Sequence, residues 1–163
     1  MALSTRSVRS SQPRKTAAQK PKKKPNHIED THQQYIFDFM DMAYFRYHDG
    51  TLMKVTDFLF AIPNGGKRDA REAARLKRQG VKAGVSDMFL PVPMHDRFGL
   101  WIELKVGKGK PSEDQEKWIN RMVEVGYLAM VIWGWKSAVE AIDAYLGGLY
   151  TKAGIKLTLD GIK

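Results

Sequence analysis

The stretch that most constrains the fold is residues 81–106. Two short apolar runs, Met88–Leu90 and residues 100–102, flank a segment that contains proline and glycine. Apolar runs on either side of such a turn predict a hairpin or a pair of adjacent strands. We therefore expect a strand pair at the centre of the fold.

Three charged side chains stand at the ends of these runs. Asp87 precedes the first run, and Glu103 and Lys105 follow the second. Side chains alternate faces along a strand, so Glu103 and Lys105 should share a face while Leu104 points into the core. If the strands pair, Asp87 comes close to both. Two carboxylates, a carbonyl and water suit Mg²⁺, whereas on an ordinary amphipathic strand Glu103 and Lys105 would be a solvated pair worth less than about 1 kcal/mol.

Composition bounds the classes of protein to consider. The 163 residues, 43% of them hydrophobic, suffice for one domain and a tail. No apolar run approaches the roughly 18 residues of a membrane span, so we expect no membrane association. The absence of cysteine excludes disulfides and thiolate sites and suits a reducing compartment, so we expect a cytoplasmic protein, in the host cytoplasm if it is phage-encoded. The four histidines lack the paired spacing of zinc ligands.

The net charge of +9 is concentrated at the N-terminus. Residues 1–26 hold eight Lys and Arg and no acid, whereas residues 27–163 carry 19 basic and 18 acidic side chains. The first segment is rich in Ser, Pro, Gln and Lys, so we predict a disordered basic arm. Such an arm would bind phosphate backbones without sequence preference. A solubilising leader and an organellar transit peptide are the alternatives.

Hydrophobic periodicity predicts alternating helices and strands. We predict helices over 27–47, 69–79, 112–126 and 137–146, buried strands over 58–62 and 127–133 beside the central pair, and a short edge strand over 155–159. Capping-box spacings open three of these helices, at Asp69, Ser112 and Ser137. This alternation predicts an α/β fold with a mixed central sheet flanked by helices on both faces.

Several motifs in this order resemble one nuclease family. They are N-G-G-K-R after a strand, L-K-x-x-G-V-K-A-G-V-S-D, I-E-L-K, P-S-x-x-Q-x-x-W and a following G-Y. Together they closely resemble the VRR-NUC family of the PD-(D/E)XK nuclease superfamily, in its phage-type stand-alone form, over roughly residues 28–146. The resemblance implies a restriction-endonuclease-like core. Ser86 departs from the pattern, since the superfamily usually has proline there.

The resemblance also implies roles for individual residues. Asp87, Glu103 and the backbone carbonyl of Leu104 would bind Mg²⁺ or Mn²⁺, with Glu29 reaching the metal directly or through water. Lys105 would be the catalytic lysine, and Gln115, grouped with the catalytic residues, matches a glutamine near the metal. We also expect nucleic-acid contacts from the polar and basic loop residues Asn64, Lys67, Arg68, Lys82, Lys108 and Lys110.

These expectations combine into one hypothesis and its rivals. The chain would comprise a basic arm (1–26), a nuclease domain (27–148) and a C-terminal extension (149–163). It would be a metal-dependent endonuclease that acts as a homodimer on branched or structured DNA in replication, recombination or repair, as Holliday-junction resolvases do. The rivals are a catalytically silent DNA-binding module with the same fold, a structural or packaging protein, and a sequence-specific restriction-type nuclease.

The arm has its own test. Deleting residues 1–26 should flatten the dependence of DNA affinity on salt, because counterion release scales with the number of phosphates neutralised. Binding isotherms of the full and shortened chains across a salt series measure this slope. An unchanged slope would mean that the arm does not bind DNA.

Overall fold

The computed structural model of the protein describes residues 27–63 and 69–159. The arm predicted for 1–26, and the turn residues Asn64, Lys67 and Arg68, lie outside this part of the chain. The helices are α1 (His27–Asp41), α2 (Ala70–Arg78), α3 (Glu113–Glu124) and α4 (Trp135–Leu146). The strands are β1 (Tyr44–Arg46), β2 (Leu52–Lys54), β3 (Phe60–Ala61), β4 (Met88–Leu90), β5 (Leu100–Lys105) and β6 (Leu128–Trp133).

Four of the strands form the central mixed sheet, in the order β3-β4-β5-β6. The pairs β3–β4 and β4–β5 are antiparallel, and β5–β6 is parallel, with Glu103 opposite Val131. The predicted central strand pair is therefore confirmed, as is the mixed α/β fold class. Within the described residues, no helix has the length and apolar character needed to cross a membrane.

The two faces of the sheet are packed differently. Leu100, Ile102 and Leu104 alternate along β5, are fully buried, and join a core with residues of α1 and α4 such as Ile36 and Ile142. Trp101, Glu103 and Lys105 project from the opposite face. Aromatic rings line this second face: Trp101 stacks on Phe89 with ring centroids 4.0 Å apart and meets Trp118 of α3 edge-on at 5.2 Å. The charged residues thus share the face that α3 covers.

The predicted first helix was too long. α1 ends at Asp41, and β1 and β2 form an antiparallel hairpin in which His48, Asp49 and Gly50 make the turn. Phe45 is fully buried on β1, whereas a continued helix, at about 100° per residue, would have placed it on the side opposite Ile36. Pairing of Tyr44 with Lys54 and a bridge from Tyr44 to Tyr150 determine the outcome.

Two strand predictions were wrong in length or kind. The buried strand expected over 58–62 is the two-residue edge strand β3, where the Phe60 side chain is 48% exposed. Its neighbours in sequence, Val55–Asp57, form a 3-10 turn. In the described part of 155–159 there is no strand, and an isolated bridge from Tyr150 to Lys156 stands instead. Both segments lie at the border of the fold. Apolar residues there indicate contact with the core, but they do not show whether the backbone pairs with another strand.

The capping predictions were confirmed at two helices and wrong at the third. The Asp69 carboxylate accepts a hydrogen bond from the Glu72 N–H at 2.8 Å, and Ser112 and Gln115 form a reciprocal capping box. α4 instead begins two residues before Ser137, after the positive-φ residue Gly134.

Gly84 ties the segment before β4 to the first turn of α3. Its φ is +79°, and a Cβ atom there would lie 2.3 Å from the backbone carbon of Asp114. Gly50 in the β1–β2 turn has a similar φ of +84° but has nothing within 4 Å of that position. A side chain at Gly50 would therefore meet only backbone strain, whereas one at Gly84 would also clash with α3.

We predict that Gly84→Ala destabilises the protein clearly more than Gly50→Ala. Both variants place a side chain at positive φ, which costs about 1–2 kcal/mol, but in Gly84→Ala the backbone must also move away from α3. Urea denaturation of the two variants and the parent measures the difference. Equal losses of unfolding free energy would contradict the close packing of Gly84 on α3.

Candidate active site

The Glu103 carboxylate lies at the centre of the charged cluster and is fully buried. Its Oε1 atom accepts a hydrogen bond from the Lys105 ammonium at 2.5 Å and another from the Gln115 side-chain amide. Glu103 and Lys105 share a face of β5, as the alternation predicted. A buried carboxylate is tolerated when charged and polar groups satisfy it in this way.

Asp87 stands where the pairing of β4 with β5 ends. The last paired residue of β4 is Met88, opposite Ile102. Beyond that pair, the Leu104 N–H donates a hydrogen bond to Asp87 Oδ2 at 2.9 Å. The Asp87 side chain thus takes the place of a backbone acceptor on β4. This bond brings Asp87 beside Glu103, as expected from the sequence.

Lys105 connects the strand to the first helix. Its Nζ atom lies 3.0 Å from the carbonyl oxygen of Leu104 and 3.5 Å from Glu29 Oε1, besides its ion pair with Glu103. The residue is 8% exposed. One ammonium therefore serves two carboxylates and a backbone carbonyl in a nearly buried environment.

His32 places α1 against this end of the sheet. Its Nδ1 atom accepts a hydrogen bond from the Trp135 N–H at 3.1 Å, at the first residue of α4. Glu29 lies one helical turn earlier on the same side of α1, and this contact accordingly positions it toward Lys105. The sequence indicated only that His32 lacks zinc-ligand spacing. Its three-residue step from Glu29 places both on one side of a helix but does not reveal the contact with Trp135.

Gln115 has two simultaneous functions in the structure. Its Oε1 atom accepts the Ser112 N–H at 2.7 Å, which completes the capping box of α3. The amide nitrogen is thereby turned toward Glu103. The local explanation for Gln115 and the one implied by family resemblance are thus both compatible with its contacts, because the cap determines which way the donor faces.

Burial and neighbouring charges shift the pKa values of three residues in the cluster. Burial raises the pKa of Glu103 to about 7, opposed by the hydrogen bond from Lys105 and reinforced by the charge of Asp87. Burial also raises the pKa of Asp87, although the Leu104 N–H and Lys105 act against this. For Lys105, burial favours the neutral amine, but the carboxylates outweigh it and the net pKa is raised. Burial is thus the largest cause of the raised pKa of the two carboxyl groups, and the neighbouring carboxylates account for the raised pKa of Lys105.

The donor set fits a hard divalent cation. Glu103 Oε2 is buried and has no hydrogen-bond partner among the described residues, so it is a ready ligand. Within 27–63 and 69–159, no three His, Cys, Asp or Glu side chains gather as a metal cluster. A metal here would therefore depend on Asp87, Glu103, the Leu104 carbonyl and water, which is the sparse oxygen set that Mg²⁺ accepts. Glu29 contacts Lys105, and its role as a ligand stays a prediction.

Three of the basic residues predicted to bind nucleic acid are described, and all are exposed: Lys82 before β4, and Lys108 and Lys110 after β5. The loop that carries the last two is attached to the sheet, because the indole N–H of Trp133 donates to the Gly109 carbonyl at 2.9 Å. Trp133 pairs with Lys105 across β5 and β6. Trp133 therefore positions this loop, a role that its place in the strand predicted over 127–133 did not indicate.

Comparisons with known proteins agree with this geometry. The family model described as the VRR-NUC domain matches residues 57–134, which include Asp87, Glu103, Lys105 and Gln115 but not Glu29. A solved structure described as a "VRR_NUC domain protein" is 27% identical, has a TM-score of 0.61, and the match covers 73% of this chain and 88% of that one. No curated protein matches. Residues 57–134 are thus similar to a nuclease-family domain, the VRR-NUC domain.

Proposed function

We propose that the protein is a metal-dependent DNA endonuclease that hydrolyses phosphodiester bonds in branched or structured DNA. The observation that carries the proposal is the convergence of Asp87, Glu103, Lys105 and Gln115 at one end of the sheet. The similarity of residues 57–134 to the VRR-NUC domain supports the same reaction class. Mg²⁺ or Mn²⁺ would be the cofactor, since both prefer oxygen ligands.

Each residue then has a distinct task. Asp87, Glu103 and the Leu104 carbonyl would hold the metal, which when bound acidifies a water molecule and polarises a phosphoryl oxygen. Lys105, with its ammonium fixed by Glu103, would orient the nucleophile or offset charge that develops on the phosphate. Gln115 holds Glu103 Oε1, which leaves Oε2 for the metal. Glu29, through Lys105, would maintain the position of the ammonium.

The proposed substrate class rests on the family resemblance and on the charge of the arm. The resemblance to resolvase-like nucleases favours branched DNA, and a two-fold dimer would place one site on each of two strands. The basic residues of the arm would add affinity that does not depend on sequence. Replication, recombination or repair is the setting in which such substrates arise. A catalytically silent DNA-binding module is the second candidate, favoured by Ser86 in place of the usual proline.

We predict metal-dependent cleavage that Asp87→Asn abolishes. Asparagine retains an oxygen that can accept the Leu104 N–H, so the fold should persist while a metal ligand is weakened. The loss should exceed the 10–100-fold typical of residues that act indirectly on a metal. The assay is cleavage of labelled single strand, duplex, flap, splayed arm and four-way junction with EDTA, Mg²⁺ or Mn²⁺.

Asp96→Asn is the matched control for this assay. Asp96 is exposed in the turn between β4 and β5, at the far end of the strands from Asp87, so its replacement should leave cleavage unchanged. Paired symmetric nicks on the junction would identify a resolvase. If the parent protein binds DNA but cuts no substrate with either metal, the silent module is the correct function.

We also predict that substitutions at Gln115 and Ser112 distinguish the capping of α3 from the contact with Glu103. In Gln115→Glu, a carboxylate can still accept the Ser112 N–H, so the cap of α3 should be kept. The donor to Glu103 is replaced by a carboxylate that repels it, so cleavage should fall by at least about 10–100-fold, out of proportion to any loss of stability. Ser112→Ala removes the other half of the cap, costs about 0.5–2 kcal/mol of stability, and should leave cleavage nearly intact. Thermal unfolding and single-turnover rates of both variants test this. Parallel losses of rate and stability in the two variants would mean that Gln115 is merely a cap.

A further inference from the structure

A groove of about 660 Å³ runs between α2 and α3, beside the candidate active site. Leu76 and Trp118 contribute apolar surface to it, and Gly84 lies where the segment before β4 packs on α3. None of the residues named above as a metal ligand lines the groove. It is therefore a separate feature of the same side of the sheet, and the reaction as proposed does not use it.

The lining of the groove is positively charged. Lys77, Lys82, Lys117 and Arg121 contribute cations, and Asp114 contributes a carboxylate. Lys117 is partly neutralised, because its ammonium lies 2.5 Å from Glu113. Since residues 27–163 as a whole carry a net charge of only +1, the positive charge here is a local concentration and not a general property of the domain.

The basic character of α2 has no role in packing. Within the described part of the chain, none of the nine side chains of α2 is buried, while Arg71, Arg75, Lys77 and Arg78 are exposed on it. Like charges three and four residues apart repel on a helix surface. Of these four cations, Lys77 lines the groove, so an anion bound there would lie against Lys77 and relieve part of this repulsion.

The groove and the reacting centre share helix α3. Gln115, which touches Glu103, is in the first turn of α3, and Arg121 is six residues further along. At 1.5 Å per residue this separation is about 9 Å along the helix axis. Phosphates of one strand of duplex DNA are about 3.4 Å apart along its axis, so the distance corresponds to roughly two to three phosphates.

We infer that this groove binds the sugar–phosphate backbone of the substrate strand where it continues beyond the bond that is cut. The inference rests on the proposed function for the identity of the strand, and on charge complementarity for its binding. Lys82 and Arg121 contact phosphates, and Lys77 lies across the groove from α3. The substrate is thus a strand that extends at least two to three nucleotides to one side of the cleavage site.

The test compares two double variants that remove equal charge. Lys82→Ala with Arg121→Ala empties the groove of two cations, and Lys152→Ala with Lys156→Ala removes two exposed lysines from the segment after α4. Affinity for a fluorescein-labelled junction and a labelled single strand is measured by anisotropy in EDTA across a KCl series. Loss of two phosphate contacts should reduce the salt slope by about 1.4 for a single strand and 1.8 for duplex DNA, whereas the control pair should leave it unchanged.

A second measurement ties the groove to cleavage. Once the cut position is mapped, the parent protein should lose cleavage efficiency on substrates with fewer than three nucleotides on one side of it, and the groove variant should be indifferent to that length. Equal salt slopes for the groove variant and the parent would overturn the inference, even if the parent cuts DNA. A parent that cuts nothing, with a reduced slope in the groove variant, would refute the endonuclease while supporting the groove as a nucleic-acid site.

Discussion

A fully buried carboxylate is the constraint on which the rest of this structure depends. Moving the charged Glu103 carboxylate out of water costs roughly several kcal/mol of folding free energy, unless hydrogen-bond donors of the protein replace the lost water. The donors come from two different elements: Lys105 from the same strand and Gln115 from α3. Glu29 on α1 in turn contacts Lys105. The cluster therefore forms only when the sheet and both helices have docked, and site geometry and folding are linked.

The partners of Glu103 do not neutralise the cluster. The carboxylates of Glu29, Asp87 and Glu103 share the single ammonium of Lys105. Burial is the largest cause of the raised pKa values of Asp87 and Glu103, and the neighbouring carboxylates raise the pKa of Lys105. A purely structural ion pair would be expected to balance, because unbalanced burial costs stability. An imbalance kept at a sheet end, with a buried carboxylate oxygen that has no described partner, is what a cation-binding site requires before its ion arrives.

The central strands and the proximity of the charged side chains could be predicted from the sequence, whereas the elements at the border of the fold could not. Asp87, Glu103 and Lys105 were placed correctly because alternation along a strand and pairing of neighbouring strands are local rules, and the Ser112 cap is a local rule too. The β1–β2 hairpin was missed because the apolar residues after Asp41 were counted with the helix, whereas β1 is determined by its pairing with β2. His32 and Trp133 could not be predicted, since each acts through a hydrogen bond to a residue distant in sequence or in another element.

Ser86 shows why a departure from a family pattern does not by itself remove a site. A proline at this position would restrict the backbone directly before Asp87. Here that backbone is held from both sides: Gly84 abuts Asp114 of α3, and Asp87 accepts the Leu104 N–H of β5. Ser86 itself is fully buried between these two contacts. With both flanks fixed by tertiary packing, the position of Asp87 depends little on the ring that is missing, and the Asp87 carboxylate still meets Glu103 at the end of the sheet.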